Sequence, residues 1–413
     1  MKFLVLTYGT DGDTRPLAAL SRALMNAGHE AHLLADGATL GTAAALGVPA
    51  TPIAGDIRKA LQPGSGLFEK NSVNHTAREL ARIANESAEQ WLRAAVQVGQ
   101  GCDALILSGL AGFMGLSAAE YLGVKAIGTG LFPLTPTADF ASPFLPPGKI
   151  PRMLNRLSHH FINGVLWRSF RKATNEARAR VCSLPPRKSL WVGHPMLYGV
   201  SPALVPQPSD WPSNALICGQ WLAPAPQYTP PDALAAFLSA GAPPIYIGFG
   251  SMGGFDPKQL LRSLVDGLAG RRALFYPGWS GVNPSALPPN IFVVGETPHD
   301  WLLPRCSLAV HHGGSGTSHS AARAGIPSVV VPFAGDQPFW ADRLHAAGVA
   351  ARLSGWKALD AASLAESIRY AERDDVRSRA RAMGEKMRRE DGLATAVRAI
   401  EALADGTNQE ARR

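Results

Sequence analysis

Three stretches of this chain combine glycine, hydroxyl, imidazole and carboxyl groups at spacings that suit chemistry. In "LAVHHGGSGTSHSAARAG" (308–325) Leu308 to His311 finish a strand, and after His312 come Gly313, Gly314 and Gly316 interleaved with Ser315, Thr317 and Ser318. Glycines let a backbone approach a ligand closely. A helix starting there turns unbonded N–H groups outward, which makes an anion site. His312 is placed to donate to a phosphate oxygen. The bland alternative is a tight strand-to-helix turn with packed histidines. In "VVVPFAGDQPFWADRL" (329–344), Asp336 and Gln337 pair an acceptor-only carboxylate with a carboxamide that both donates and accepts. That chemistry fits sugar hydroxyls. Asp336 is also a candidate helix cap before Pro338, and both roles can hold together. A weaker stretch, "YIGFGSM" (246–252), offers Ser251 as a further phosphate contact.

The third stretch is "YGTDGDTRP" (8–16), where an apolar strand meets glycines and a helix follows. It has the outline of a phosphate loop, yet Asp11 and Asp13 would repel an anion. Asp11-Gly12-Asp13 matches a D-x-D metal clamp for a diphosphate. Either aspartate could instead cap a helix beginning near Thr14, and Asp11 is the better cap by position. A dinucleotide fingerprint is not satisfied, because Gly9 and Gly12 are wrongly spaced and no third glycine follows.

The elements that hold these stretches are legible from periodicity. "KFLVLTY", "EAHLLAD", "CDALILSG" and "VKAIGTG" are short apolar runs of the kind found in parallel strands buried on both faces. Helical patterns separate them, the first with Pro16 near its start and Gly28 at its end. After an irregular stretch from about 131 to 190, a second alternating series opens at "PIYIGFG" and runs to "SVVVPF". Such alternation predicts α/β architecture with two doubly wound parallel sheets. Ligands of such sheets bind outside the carboxyl ends of the strands, and two facing domains create a cleft. Proline is dense from 200 to 244 and marks a semi-rigid linker. The expected domains are 1–222, a linker at 223–242, and 243–413, with the final helix packing back on the first domain.

Composition bounds the rest. The 413 residues are 46% hydrophobic and 17% charged, enough for sizeable cores and too apolar for global disorder. The net charge of +8 allows an anionic partner. No nucleic-acid motif accompanies it, so no nucleic-acid partner is expected. Cys102, Cys182, Cys218 and Cys306 lie far apart and lack metal-ligand spacing. They read as reduced thiols of a cytoplasmic protein. The opening residues read as a first strand and not a signal peptide.

Taken in order, "GFGSM", "PHDWL", "HHGGSGT" and "GDQPFW" resemble the inverting nucleotide-sugar glycosyltransferases of the GT-B fold. The similarity is greatest to the sterol glucosyltransferase branch, then to bacterial natural-product glycosyltransferases, and it covers nearly the whole chain. The resemblance implies two Rossmann-like domains, a UDP- or dTDP-sugar donor on the C-terminal one and a lipophilic acceptor on the N-terminal one. It makes His312 the diphosphate-binding histidine, with Gly314, Ser315, Gly316 and Thr317 on the phosphate oxygens and Ser251 nearby. It gives Asp336 and Gln337 the sugar hydroxyls, and the backbone at Thr297 and His299 the edges of the base. Where the family often carries G-H-x-x-P with a catalytic histidine, this chain has Gly12-Asp13-Thr14-Arg15-Pro16, so the resemblance makes Asp13 the general base, with Gly12 beside the donor. No metal or cofactor is then required. Two positions depart from the plant enzymes, which carry a tryptophan at Glu296 and a glutamate at Ser320. Trp279 is the candidate to stack on the base instead, the alternative being a packed tryptophan.

The segment 150–188 carries nine arginines and lysines with Glu176 as its only acid, interleaved with Phe161, Trp167 and Phe170. It is either a solvated face beside the acceptor or a peripheral membrane contact. The expected function is inverting transfer of a hexose, with UDP-glucose the favoured donor. The rivals are an epimerase of the same fold and a catalytically silent partner of another transferase.

Overall fold

The computed structural model describes residues 1–61, 73–223, 228–250, 252 and 255–405. The chain divides into two compact units. One combines the N-terminal half, to Pro224, with Asp391–Arg413; the other is built on Ala225–Glu390.

Among the described residues, the first unit holds seven strands: β1 (Lys2–Leu6), β2 (Glu30–Asp36), β3 (Ala50–Ile53), β4 (Ala104–Leu107), β5 (Lys125–Gly130), β6 (Met196–Tyr198) and β7 (Ala215–Ile217). They pair in the order β3-β2-β1-β4-β5-β6-β7, all in parallel. The second unit holds β8 (Ile245–Gly248), β9 (Ala273–Tyr276), β10 (Ile291–Val293), β11 (Leu308–His311), β12 (Ser328–Val330) and β13 (Ala350–Arg352). Their order is β10-β9-β8-β11-β12-β13, again all parallel. These are the two doubly wound sheets that the alternating apolar runs predict. Central strands such as β4 and β8 are buried at every residue, because helices cover both faces. Each sheet reverses its winding once, between β1 and β4 in the first unit and between β8 and β11 in the second.

Two sequence expectations are corrected. The proline-dense stretch 200–244 is not linker throughout. It contains β7 and a helix, Asp232–Ser239. β7 is a three-residue edge strand just after Pro212, where a missing N–H costs no ladder bond. The first helix runs Asp11–Asn26, so Pro16 lies inside it and not at its start. Pro16 deprives only the Gly12 carbonyl of its helical donor, and Gly12 is exposed to water.

The closing helix, Gly392–Ala404, completes the first core. Ala396, Val397 and Ile400 pack into one cluster with Phe3, Leu17, Leu20 and Leu24. His29 Nε2 lies 2.9 Å from Glu401 Oε1. Lys125 Nζ donates to the carbonyls of Leu403 and Ala404 at 2.9 and 2.7 Å, which satisfies the end of the helix. Gly392 permits this seating. A Cβ there would stand 2.5 Å from the Gly219 carbonyl carbon and 2.6 Å from Gln220 O. Both obstacles are backbone, so Gly392→Ala is expected to destabilise the first unit by about 1–3 kcal/mol. That outweighs the propensity alanine usually adds to a helix. Thermal unfolding checks it, and an unchanged midpoint would contradict this seating.

Candidate functional site

In the first unit the chain leaves β1 beside the point where the winding reverses. Ser108 N–H donates to Leu6 O at 2.9 Å and Leu110 N–H to Tyr8 O at 3.2 Å, so the segments after β1 and β4 stay in register. Gly109, at φ +60°, is needed there because a Cβ would lie 2.6 Å from Tyr8 O. Thr10 then caps the helix in an extended conformation. Asp13, one turn on, reaches back. Its Oδ2 accepts from Thr10 N–H at 2.7 Å and from Thr10 Oγ1 at 3.1 Å. A capping box of this kind satisfies donors that the helix start leaves open. Among the described residues, Asp13 Oδ1 accepts no hydrogen bond. The carboxylate fits because residue 9 is glycine: a Cβ there would fall 2.3 Å from Asp13 Oδ2. Part of Asp13 reaches solvent, but the surrounding protein dominates. Burial raises its pKa above the ordinary aspartate value, against the two Thr10 hydrogen bonds, which lower it.

Asp11 behaves differently. It is the first helical residue and not the cap, a role Thr10 takes, and its Oδ2 lies 3.2 Å from Arg58 Nη2. The two carboxylates of the D-x-D pattern therefore serve different partners. Gly12 is helical, so the bend after β1 lies at Gly9-Thr10 and not at Gly12. Beneath the loop, Tyr8 packs on Trp91 with ring centroids 4.5 Å apart, and Trp91 Nε1 donates to Ala54 O at 2.7 Å.

In the second unit the loops after β8, β9, β11 and β12 meet at the corresponding edge. Trp279 N–H donates to Gly250 O at 3.2 Å. His312 lies between two glycines. A Cβ at Gly250 would stand 3.2 Å from its Cε1, and one at Gly314 would stand 2.5 Å from its Nε2. Gly314 caps the helix Ser315–Ala324, whose first backbone bond runs from Ser318 N–H to Gly314 O at 2.9 Å. The N–H groups of Gly316 and Thr317 consequently face out of the helix end. Gly313, at φ +86°, lies against the next loop, where a Cβ would meet Gln337 O at 3.1 Å. Burial holds His312 neutral, its pKa lowered to about 4. It lowers His311 to about 3 and His319 to about 4 in the same way. His312 can thus donate through a neutral ring N–H, while its Nδ1 is buried without a partner among the described residues.

Asp336 does not cap its helix with its side chain, because its backbone is already helical, with φ −83° and ψ −5°. Its Oδ2 accepts instead from Trp340 Nε1 at 2.7 Å. The buried Trp340 ring meets His319 edge-on at 4.8 Å, and His319 Nδ1 donates to Ser315 O at 2.7 Å. A buried aromatic chain therefore ties Asp336 to the start of the glycine-rich helix. Gln337 turns inward. Its Oε1 accepts from Phe333 N–H at 2.8 Å and Ala334 N–H at 3.1 Å, and its Nε2 lies 3.4 Å from Met252 Sδ.

The predicted residues thus fall into separate sets. Gly12 and Asp13 stand on the first unit. His312, Gly314, Trp279 and Gln337 gather on the second through Gly250 and Gly313. Thr297 Oγ1 lies 3.2 Å from Gly295 O and 3.4 Å from Tyr228 Oη, while His299 Nε2 lies 3.3 Å from Tyr246 Oη. Ser251 lies outside the described residues. The sequence reading missed Gly9, Trp340 and His319. An indole four residues after a carboxylate on one helix face is a signal that could have found Trp340.

Comparison with known proteins bears on the family and the fold. The family profile described as "Erythromycin biosynthesis protein CIII-like, C-terminal domain" matches residues 277–403. The chain is 31% identical over 418 residues to sterol 3-beta-glucosyltransferase UGT80B1 of Arabidopsis thaliana, covering 97% of this chain and 68% of that protein. It is 30% identical over 424 residues to the sterol 3-beta-glucosyltransferase of Yarrowia lipolytica, covering 97% of this chain but 28% of that much longer protein. Among solved structures it is similar to the glycosyltransferase VinC in complex with dTDP, with a TM-score of 0.69 at 19% identity over 98% of this chain and 100% of that one.

Two tests follow from the geometry. In Gly9→Ala the new methyl must displace the Asp13 carboxylate from Thr10. Losing the two Thr10 hydrogen bonds, which hold its pKa down against burial, should make the Asp13 carboxyl resonance titrate higher. The first unit should lose about 1 kcal/mol with the capping box. An unmoved Asp13 titration would contradict the contact. The buried histidines set a pH dependence in the second unit. The unfolded chain protonates them near pH 6.5, whereas the folded unit resists until well below about pH 5. As pH falls through that window the unfolded state binds more protons, so stability drops. His311 and His319 should each remove on the order of 2 kcal/mol between about pH 7 and pH 5. An unfolding midpoint of the second unit that stayed constant over this range would overturn the assignment.

Proposed function

We propose that this chain, which belongs to the UDP-glycosyltransferase family in its sterol and antibiotic branch, moves a hexose from a nucleoside-diphosphate sugar to the hydroxyl of a lipophilic acceptor. Membership makes it a glycosyltransferase with two parallel-sheet domains of the GT-B fold. The finer assignments of donor, acceptor and residue roles are our reading.

One observation carries it. The Asp13 carboxylate spends a single oxygen, Oδ2, on Thr10 and keeps Oδ1 free of hydrogen bonds among the described residues, while burial raises its pKa. A carboxylate with an unused oxygen and strengthened basicity suits proton removal from an alcohol. In the proposed step the acceptor oxygen attacks the anomeric carbon as its proton passes to Asp13 Oδ1. The bond between that carbon and the phosphate oxygen breaks on the opposite face. Its electron pair leaves with the nucleoside diphosphate, so the anomeric configuration inverts. His312 and the outward N–H groups of Gly316 and Thr317 take up the developing charge. Thr297 and His299 serve the base, with Trp279 as the stacking ring. Asp336, its carboxylate braced by Trp340, meets the sugar hydroxyls, and Gln337 reaches them if it exchanges its loop contacts for the donor.

The relatives' names support glucose as the sugar and a sterol-like alcohol as acceptor. The dTDP complex of VinC supports a pyrimidine diphosphate. UDP-glucose is therefore the first donor to try. The test is release of UDP from UDP-glucose, with and without a panel of sterols and other lipophilic alcohols. Release that requires an acceptor and ignores EDTA supports transfer. An isomerised sugar without acceptor would favour an epimerase, and binding without turnover a silent partner. Asp13→Asn should lower kcat about a hundredfold or more while UDP still binds. The rate should also fall as pH drops through a value above the ordinary aspartate range, because the base must be ionised. Loss of UDP binding in Asp13→Asn would instead assign this residue to the donor.

A further inference from the structure

The long helix Asn155–Cys182 leaves an apolar stripe uncovered. Met153 and Leu154, in the 3-10 turn Arg152–Leu154 just before the helix, are 87% and 41% exposed, and Leu157, Phe161 and Val165 follow within the helix at four-residue steps, 60%, 65% and 41% exposed. That spacing places them along one helix face. The opposite face is committed. Asn155, Ser158 and His159 are buried, Ser142 N–H donates to Ser158 Oγ at 2.9 Å, and His159 Nε2 lies 3.0 Å from Phe140 O. The helix cannot roll to hide the stripe without breaking these bonds.

Cations frame it. Lys149, Arg152 and Arg156 lie before and beside the stripe, Arg168, Arg171 and Lys172 follow it, and no acid occurs between 140 and 175. Among the described residues, Arg156 alone of the six has an ionic partner, Asp210 at 2.9 Å. Scattered surface leucines need no explanation, but a continuous apolar stripe framed by cations does.

The helix also has a defined place against the first sheet. Trp167 meets Phe113, at the start of the helix Gly112–Leu122, with ring centroids 5.4 Å apart. Arg178 pairs with Glu120, near that helix's end, at 2.8 Å. The helix Gly112–Leu122 follows β4 and so starts at the carboxyl edge of the sheet. The turns before Trp167, which carry the stripe, therefore extend past that edge, where Asp13 also stands.

We propose that this face docks on an anionic phospholipid surface. Leu157, Phe161 and Val165 enter the headgroup boundary, and the flanking arginines and lysines meet lipid phosphates. Among the described residues no helix is long and apolar enough to cross a membrane, and the docking is interfacial. A second copy of the chain is the poorer occupant, since pairing two such faces brings like charges together. The proposal deepens the reading of a lipophilic acceptor, because it brings the Asp13 edge of the sheet to the phase in which such an alcohol dissolves.

Sedimentation with vesicles tests it without requiring turnover, so its failure and that of the transfer reading are distinguishable. The full chain should partition onto phosphatidylcholine vesicles containing phosphatidylglycerol, and far less onto phosphatidylcholine alone. High salt should weaken the partitioning. Leu157→Ser with Phe161→Ser should lower it at least about tenfold by removing buried apolar area. Arg168→Glu with Lys172→Glu should abolish the preference for the anionic lipid. All four positions are exposed, so unchanged thermal midpoints will show that the variants fold. Partitioning that the variants leave intact would overturn the proposal. So would its absence from anionic vesicles, or a stripe-dependent dimer that ignores lipid.

Discussion

A parallel strand buried on both faces has no room along its length for a polar side chain that must meet a ligand. That constraint distributes the chemistry of this protein. Asp13, His312, Asp336 and the glycines around them all follow the carboxyl end of a strand. The winding of each sheet reverses beside β1 and beside β8 and β11, and there the flanking helices diverge and leave space. The polar residues therefore occupy the positions the layers cannot fill.

Space at those strand ends is made by missing side chains. Gly9 yields the volume that the Asp13 carboxylate takes, and Gly250 and Gly314 yield the walls around His312. The same crowding alters the electrostatics. Burial raises the pKa of Asp13 and lowers that of His312, moving both groups toward neutrality. A carboxylate so treated is a better base, and an imidazole so treated is a neutral donor. One physical cause thus suits both groups to the roles proposed for them.

The loops are also held to one another from behind. Trp340 and His319 connect Asp336 to the carbonyl of Ser315, and Gly313 touches the Gln337 backbone. These contacts lie in the buried layer, where a misplaced ring would leave polar atoms unpaired at high cost. The long helix of the first unit shows the contrary arrangement. Its inner face is locked by hydrogen bonds while its outer face keeps apolar side chains in water.

Local pattern was enough for much of this protein. The apolar runs announced both parallel sheets, since a strand buried on two faces must be apolar throughout. The glycine-rich turns into helices marked which loops hold the polar groups, because such turns require particular residues at fixed spacing. Partners distant in the chain were beyond that reach. Sequence position made Asp11 the cap, yet the capping box chose Thr10 and Asp13 and left Asp11 to Arg58, 47 residues away. Asp336 had the form of a cap until Trp340 took its carboxylate, and Gln337 was taken up by its own loop. The sequence by itself determined the layers and the loops, through periodicity and backbone rules that act within a few residues. Which atom of each polar side chain is occupied, and how burial shifts its proton affinity, was decided only when packing brought those loops together.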